Sequence, residues 1–283
     1  MLVKIQPMRN LDFIIIGAQK SGTSSLRVHL QKFASEIFMP NSELHFWNRE
    51  QQYQDGNGLD GYLLNFSNAK PQQKIGEKSP SYLASEKAAV RIKSHMPNIK
   101  IIAILRDPID RAYSAYWHGR RVGAISSKRD FASCIRQRNR HAFGDLITQG
   151  YYSRHLQIYK DLFSTSGVLI LDFQKMLNQD LTELQKINEF LDLKEIINNL
   201  DFPHRNVASK SIIPGINEFI FKQMKLDRNI KSKLIKVNLK EFYPPPMLKE
   251  DREFLSKLYE GEDKKVNGLF GTNFKWTILG SNQ

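Results

Sequence analysis

Three short apolar runs, each trailed by a stretch with helical spacing, restrict what this chain can fold into. Residues 13–16, 100–105 and 167–173 are too short for buried helices and rich in Ile, Leu and Val, as strands covered on both faces are. Helical spacing follows over 24–31, from 108 onward and over 181–191. Asp107 stands where an N-cap belongs and Pro108 at the first helical position, while Ile109, Ala112, Tyr113, Tyr116 and Trp117 mark one face. Shorter strands are expected at 36–39 and from 74 to the break at Pro80, and helices over 59–66, 85–96 and 150–163. The polar stretches 51–58 and 204–214 read as loops, and 126–139 as a basic surface helix. Helices are also expected over 216–225, 228–237 and 248–259. Strands alternating with helices predict an α/β fold with a central parallel β-sheet flanked by helices and ligands at the strand C-terminal ends. No linker interrupts 1–283, so a single domain is expected, with an α/β core over 11–175 and a mostly helical C-terminal part over 176–283.

The first run ends in Gly17-Ala18-Gln19-Lys20-Ser21-Gly22-Thr23-Ser24-Ser25. A strand, a glycine loop and a helix start make an anion site, because backbone N–H groups converge there and the helix dipole adds about half a positive charge. Lys20 adds a full charge; Thr23, Ser24 and Ser25 add hydroxyl donors and a candidate N-cap. The expected ligand is a phosphate or a close analogue. The nucleotide-triphosphate loop G-x-x-x-x-G-K-[ST] is not matched, since Lys20 precedes the second glycine and none follows Gly22.

Charge sharpens the expectation of an anionic partner. The 283 residues carry a net charge of +13, which suits a charged nucleotide, an anionic polysaccharide, nucleic acid or a membrane surface alike. Cys134 is the only cysteine, which excludes an intramolecular disulfide and a Cys-rich zinc site and suits a cytoplasmic setting. No window approaches the ~20 apolar residues of a membrane span, and residues 1–11 are expected to be a short leader.

A second motif follows the second run: Leu105-Arg106-Asp107-Pro108-Ile109-Asp110-Arg111-Ala112-Tyr113-Ser114. Arg106 at a strand end can grip a phosphate with two parallel hydrogen bonds. In order and spacing the two motifs resemble those of sulfotransferases that use 3′-phosphoadenosine 5′-phosphosulfate (PAPS). The resemblance implies that Gly17, Gln19, Lys20, Ser21, Gly22, Thr23 and Ser24 hold the 5′-phosphosulfate and that Arg106 and Ser114 hold the 3′-phosphate. It also implies a P-loop-like three-layer fold. Ser42-Glu43-Leu44-His45-Phe46, Gly76-Glu77-Lys78-Ser79-Pro80-Ser81-Tyr82 and Gly150-Tyr151-Tyr152 look like segments of the heparan-sulfate-type members. The likeness is good over 11–175 and poor beyond. The family's K-G-R phosphate loop is absent; 204–210, with Ser209 and Lys210, is the nearest substitute, and Tyr151 joins the cosubstrate contacts. A soluble bacterial member is expected rather than a Golgi enzyme.

The resemblance makes Glu43 the general base, with Lys20 offsetting charge on the leaving phosphate and Lys78 and His45 as further candidates. His45 shares Glu43's side only if the segment is extended. PAPS is then the cosubstrate and PAP, its desulfated form, the product, with no metal; Asp172 reads equally as a cap, an ion-pair partner or a magnesium ligand. The acceptor is expected to be a sugar hydroxyl or amine. Trp47, Tyr82, Tyr113 and Trp117 are candidates to stack on adenine or line an acceptor cleft, or else core. Two rivals stand: a P-loop nucleoside-phosphate kinase, which needs magnesium, and a basic nucleic-acid-binding protein built on 127–140, which leaves the phosphate motifs unexplained.

Overall fold

The computed structural model describes residues 10–55, 58–137, 145–194, 209–213 and 215–276. In chain order they form β1 (Phe13–Gly17), α1 (Thr23–Gln31), β2 (Ile37–Phe38), α2 (Glu50–Gln54), α3 (Gly58–Leu63), β3 (Lys74–Lys78), α4 (Glu86–His95) and β4 (Lys100–Leu105). Then come α5 (Pro108–Val122), α6 (Phe131–Arg136), α7 (Tyr152–Phe163), β5 (Val168–Asp172), α8 (Phe173–Leu177) and α9 (Leu181–Leu191). The last are β6 (Ser209–Ser211), α10 (Ile216–Lys222), α11 (Arg228–Val237), β7 (Leu239–Glu241), α12 (Lys249–Leu258) and α13 (Glu262–Phe270).

The chain divides into two compact units that interleave along the sequence. The first comprises Met1–Arg106, Ser153–Pro203 and Val266–Thr272. It holds one five-stranded sheet in the order β2-β3-β1-β4-β5, every pair parallel. The α/β expectation with a central parallel sheet holds, and β1, from the most apolar run, lies at its centre. All five β1 residues are buried. Phe13 and Ile15 join Ile102 and Ile104 of β4 in a core with Leu26 and Leu30 of α1 and Leu184, Ile187 and Leu191 of α9. Ile14, Ile16, Ile101 and Ala103 alternate onto the other face and are also fully buried. Both faces are therefore covered, which explains why these strands read as unbroken apolar runs.

Asp172, at the end of β5, accepts hydrogen bonds from the backbone N–H of Gln174 (2.8 Å) and Lys175 (3.3 Å) and so starts α8. Of the roles open to it (cap, ion-pair partner or magnesium ligand), the cap is the one observed. Asp172→Ala is expected to cost about 1 kcal/mol, read as a shift in the urea midpoint with the slope unchanged.

The second unit comprises Asp107–Tyr152, His204–Lys265 and Asn273–Gln283. Its core gathers Ile109, Ala112 and Tyr116 of α5, Phe131 and Ile135 of α6, and Leu255 and Tyr259. Asp107 caps α5 as expected, accepting from Ile109 N–H at 2.7 Å. Several sequence expectations are corrected. Residues 51–54 of the expected 51–58 loop are helical, within α2. Ser209 and Lys210, expected in a loop, form strand β6, antiparallel to β7. The basic 126–139 helix shrinks to Phe131–Arg136, and residues 138–144 lie outside the described residues.

Candidate active site

The first unit's candidate residues stand at or after the ends of four adjacent strands, β2, β3, β1 and β4. At Gly17 an added Cβ would lie 2.7 Å from Leu83 Cβ and 3.2 Å from the Pro80 carbonyl oxygen. The chain after β1 thus presses on the chain after β3, and only glycine fits. The Ala18 N–H donates to Ile104 O at 2.8 Å, tying the loop to β4 as well. Lys20 (φ 69°) and Gly22 (φ 81°) adopt left-handed backbone, turning the loop back into α1. Gly22 itself is the N-cap and no side chain caps the helix. The expectation of a hydroxyl N-cap is therefore corrected: Thr23, Ser24 and Ser25 lie within the first turn. Amides of a first turn have no intrahelical acceptor and point along the dipole's positive end. Ser21 is fully buried and its Oγ has no hydrogen-bond partner among the described residues; Gln19 and Lys20 are half-buried. An orphaned hydroxyl, helix-start amides and a lysine in one loop fit an anionic group.

Next to this loop sits a cluster of ionisable groups. Lys78, the last residue of β3, has a side chain only 2% exposed. Its Nζ donates to Glu43 Oε1 at 2.5 Å and to Ser24 Oγ, on α1, at 3.1 Å. His45 Nε2 lies 3.0 Å from Glu43 Oε2. Glu43, His45, Lys78 and the phosphate-type loop therefore form one connected site. His45 reaches Glu43 differently from the expectation. Its φ is 54°, so a left-handed kink, and not an extended strand, brings the two side chains together. The kink is pinned: His45 N–H donates to Ser79 Oγ at 3.0 Å, and His45 Nδ1 lies 2.8 Å from Ser81 Oγ. Ser81 Oγ accepts from Asn48 Nδ2 at 3.0 Å. In neutral His45 the Ser81 hydroxyl donates to Nδ1, which aims the Nε2 proton at Glu43.

The electrostatics follow from this packing. Burial alone raises the pKa of Glu43, but the His45 hydrogen bond and the Lys78 charge outweigh it and bring it from 4.5 to about 2. Burial lowers the pKa of Lys78, against the pull of Glu43, and the charge of Arg27 lowers it further. A depressed carboxylate pKa contributes stability above pH 4.5 that is lost as pH falls through about 2. The stability gap between wild type and Glu43→Gln is thus expected to be largest at neutral pH and to close between pH 4.5 and 2, as urea denaturation at several pH values would reveal.

Beneath this cluster lies Glu77, fully buried. It accepts from Ser79 Oγ (2.6 Å), Tyr82 OH (2.8 Å) and Tyr62 OH (2.5 Å). Burial pushes its pKa up, against those hydrogen bonds. Through Ser79 it anchors the His45 kink. Glu77→Ala leaves three buried hydroxyl protons without their acceptor, each costing about 1–3 kcal/mol, so a loss of roughly 3 kcal/mol or more is expected on urea unfolding.

Arg106 follows β4, the neighbour of β1, two residues beyond the Ile104 carbonyl that holds Ala18. Its Cζ lies 5.1 Å from the Phe173 ring centre. Among the described residues no hydrogen bond or ion pair occupies its guanidinium donors, and parallel strands place Arg106 and Gly17–Thr23 at the same edge of the sheet.

The remaining candidates belong to the second unit. Ser114 is half-buried on α5. Tyr151 packs its ring 5.2 Å from Tyr259. Lys210 Nζ sits 4.7 Å from the Phe242 ring centre, and Ser209 pairs with Glu241 in β6. Residues 204–208 lie outside the described residues. The aromatic candidates are packing groups. Trp47 and Tyr82 are 0% exposed, and Trp47 Nε1 donates to Tyr62 OH at 3.2 Å. Tyr113 and Trp117 pack edge-to-face on each other.

A sulfotransferase domain profile matches residues 10–262. The chain belongs to the sulfotransferase family. It is 30% identical over 270 residues to the Mus musculus bifunctional heparan sulfate N-deacetylase/N-sulfotransferase 4, covering 91% of this chain and 29% of that one. It is 30% identical over 200 residues to the Mus musculus heparan sulfate glucosamine 3-O-sulfotransferase 3B1, covering 67% of this chain and 48% of that one. The chain thus spans less than half the length of either relative. A sulfotransferase from Alicyclobacillus acidocaldarius superposes with a TM-score of 0.70 at 20% identity, over 94% of this chain and 98% of that one. That likeness establishes the sulfotransferase fold, P-loop-like and with the parallel sheet described above.

Sequence reasoning named Glu43, His45 and Lys78 but gave no role to Ser79, Ser81, Glu77, Asn48 or Arg27. The first three stand within the motif around Lys78, which was the available signal; Asn48 and Arg27 stand in no motif.

Proposed function

We propose that this sulfotransferase-family chain moves the sulfuryl group of PAPS to a hydroxyl or amine of a carbohydrate or glycoconjugate. The observation that carries the reading is the bridge from Ser24 through Lys78 to Glu43 and His45, which joins an acid–base cluster to an anion loop. PAPS supplies an activated sulfonate and a good leaving phosphate; positioning and charge are what the protein contributes. Lys20 and the first-turn amides of α1 offset charge on the 5′-phosphate. Arg106 and Ser114 hold the 3′-phosphate; Tyr151, Ser209 and Lys210 complete the cosubstrate contacts. Glu43 takes the acceptor's proton, oriented by His45. As Lys78 turns its charge from Glu43 toward the sulfonate, the carboxylate loses its strongest cation and becomes more basic.

The relatives named for heparan sulfate support a glycan acceptor. A profile running over both units supports one sulfotransferase domain. The +13 charge is read as serving anionic small molecules and glycans, not nucleic acid: Arg136, in the basic segment, bonds Asp251 at 2.5 Å. No step is assigned to a metal. Among the described residues no helix is long and apolar enough to cross a membrane. A cytoplasmic setting is proposed because it keeps a lone thiol such as Cys134 reduced.

The test is to offer labelled PAPS with glucosamine-containing oligosaccharides and follow the label by mass spectrometry, with and without a magnesium chelator. Label in the glycan, unaffected by chelation, is expected. Nucleotide turnover that needs magnesium and moves a phosphoryl group would replace this reading with the kinase.

A further inference from the structure

Thirteen large apolar side chains stand exposed among the described residues, and ten of them fall between Ile212 and Leu248, in the second unit. Such clustering is unlike the scattered apolar exposure of ordinary protein surface. On α11, Ile230, Leu234 and Val237 recur at helical spacing and form one stripe, with Val237 81% exposed. Ile235 turns the other way and is buried. On α10, which packs against α11, Ile216 and Phe219 are exposed one turn apart, Phe219 at 59%, while Asn217 and Ile220 face inward.

Charge decides what covers this face. Between 209 and 248 the sequence has eight basic residues and three acidic ones, a net +5. Lys225, Lys233, Lys236 and Lys240 are exposed and make no ion pair among the described residues; Lys233 borders the α11 stripe. Two copies of such a face would repel each other. A sulfated glycan or a nucleic acid would use the lysines but leave the aliphatic row in water. A lysine bordering an apolar stripe, with further exposed lysines in the same segment, matches the boundary between acyl chains and acidic headgroups.

We infer that the α10–α11 face is a docking surface for an anionic phospholipid bilayer, bound peripherally. The aliphatic row enters the headgroup boundary and the lysines meet acidic lipid.

Vesicle flotation of the full chain tests this with phosphatidylcholine–phosphatidylglycerol vesicles against phosphatidylcholine alone. Partitioning onto the acidic vesicles is expected to be at least about tenfold stronger and to weaken as salt rises. The triple variant Ile230→Gln, Leu234→Gln, Val237→Gln alters only exposed side chains, so its melting temperature should hold while binding falls about tenfold or more. Lys233→Glu with Lys236→Glu should lose the preference for acidic vesicles. Equal partitioning onto both vesicle types, or variants that bind like wild type, would overturn the inference. So would light scattering that finds a dimer which the triple variant dissociates, with no vesicle binding; the face would then belong to a second copy.

Discussion

Glu43→Gln is expected to lower kcat by about 10²–10⁴-fold, the usual worth of a placed general base, while PAP affinity stays within a few-fold. The substitution keeps the side chain's shape and the bond from Lys78. It removes the one carboxylate that His45 and Lys78 share. Lys78, nearly enclosed, then loses its counter-charge, and its pKa falls further because burial already lowers it. Some stability goes with it, so rates must be compared well below the variant's melting temperature. The proton balance gives a second readout. Glu43 is ionised from about pH 2 upward, so the kcat/KM profile of the wild-type enzyme should have no limb from this group between pH 4.5 and 8. Wild-type turnover by Glu43→Gln would remove Glu43 from the mechanism.

Arg106→Ala and Lys20→Ala are expected to separate the two ends of the nucleotide. A hydrogen bond to a charged group is worth about 1.5–3 kcal/mol, or roughly 10–150-fold in affinity. Arg106→Ala should weaken PAP by that factor and leave adenosine 5′-phosphate, which lacks the 3′ group, almost untouched. Lys20→Ala should weaken both. Titration calorimetry with the two nucleotides gives the pattern, and the PAP-induced rise in melting temperature should shrink in both variants. Equal losses for both nucleotides in Arg106→Ala would place that side chain away from the 3′-phosphate.

Much of the fold was legible because burial wrote it into the sequence. β1, β4 and β5 are covered on both faces, so apolar character and β-branching agreed with the final structure. α2 was misread because none of its five residues is buried, leaving no periodicity to detect. β6 and β7 are three residues each, with Leu239 the one apolar side chain between them, below any pattern's reach. α13 went unread because Val266 is the one fully buried apolar residue in it.

The site was legible as a set of residues and not as a geometry. The motifs named Glu43, His45 and Lys78, but how they meet depends on the left-handed backbone at His45 and on Ser79, which links it to Glu77. Histidine takes positive φ more often than most non-glycine residues, but nothing in the sequence singles out this one; the tertiary hydrogen bonds hold it there. In the same way Thr23, Ser24 and Ser25 looked like caps, whereas the left-handed turn at Gly22 starts α1 without one. Trp47 and Tyr82 looked available for stacking, yet their polar edges are spent on the network around Glu77.

The most direct test is a crystal structure of the protein with PAP. The account expects the 5′-phosphate against the amides of Thr23 and Ser24 with Lys20 beside it, and the 3′-phosphate gripped by Arg106. A nucleotide bound with Arg106 and the Gly17–Thr23 loop contacting different molecules, or neither contacting it, would contradict it.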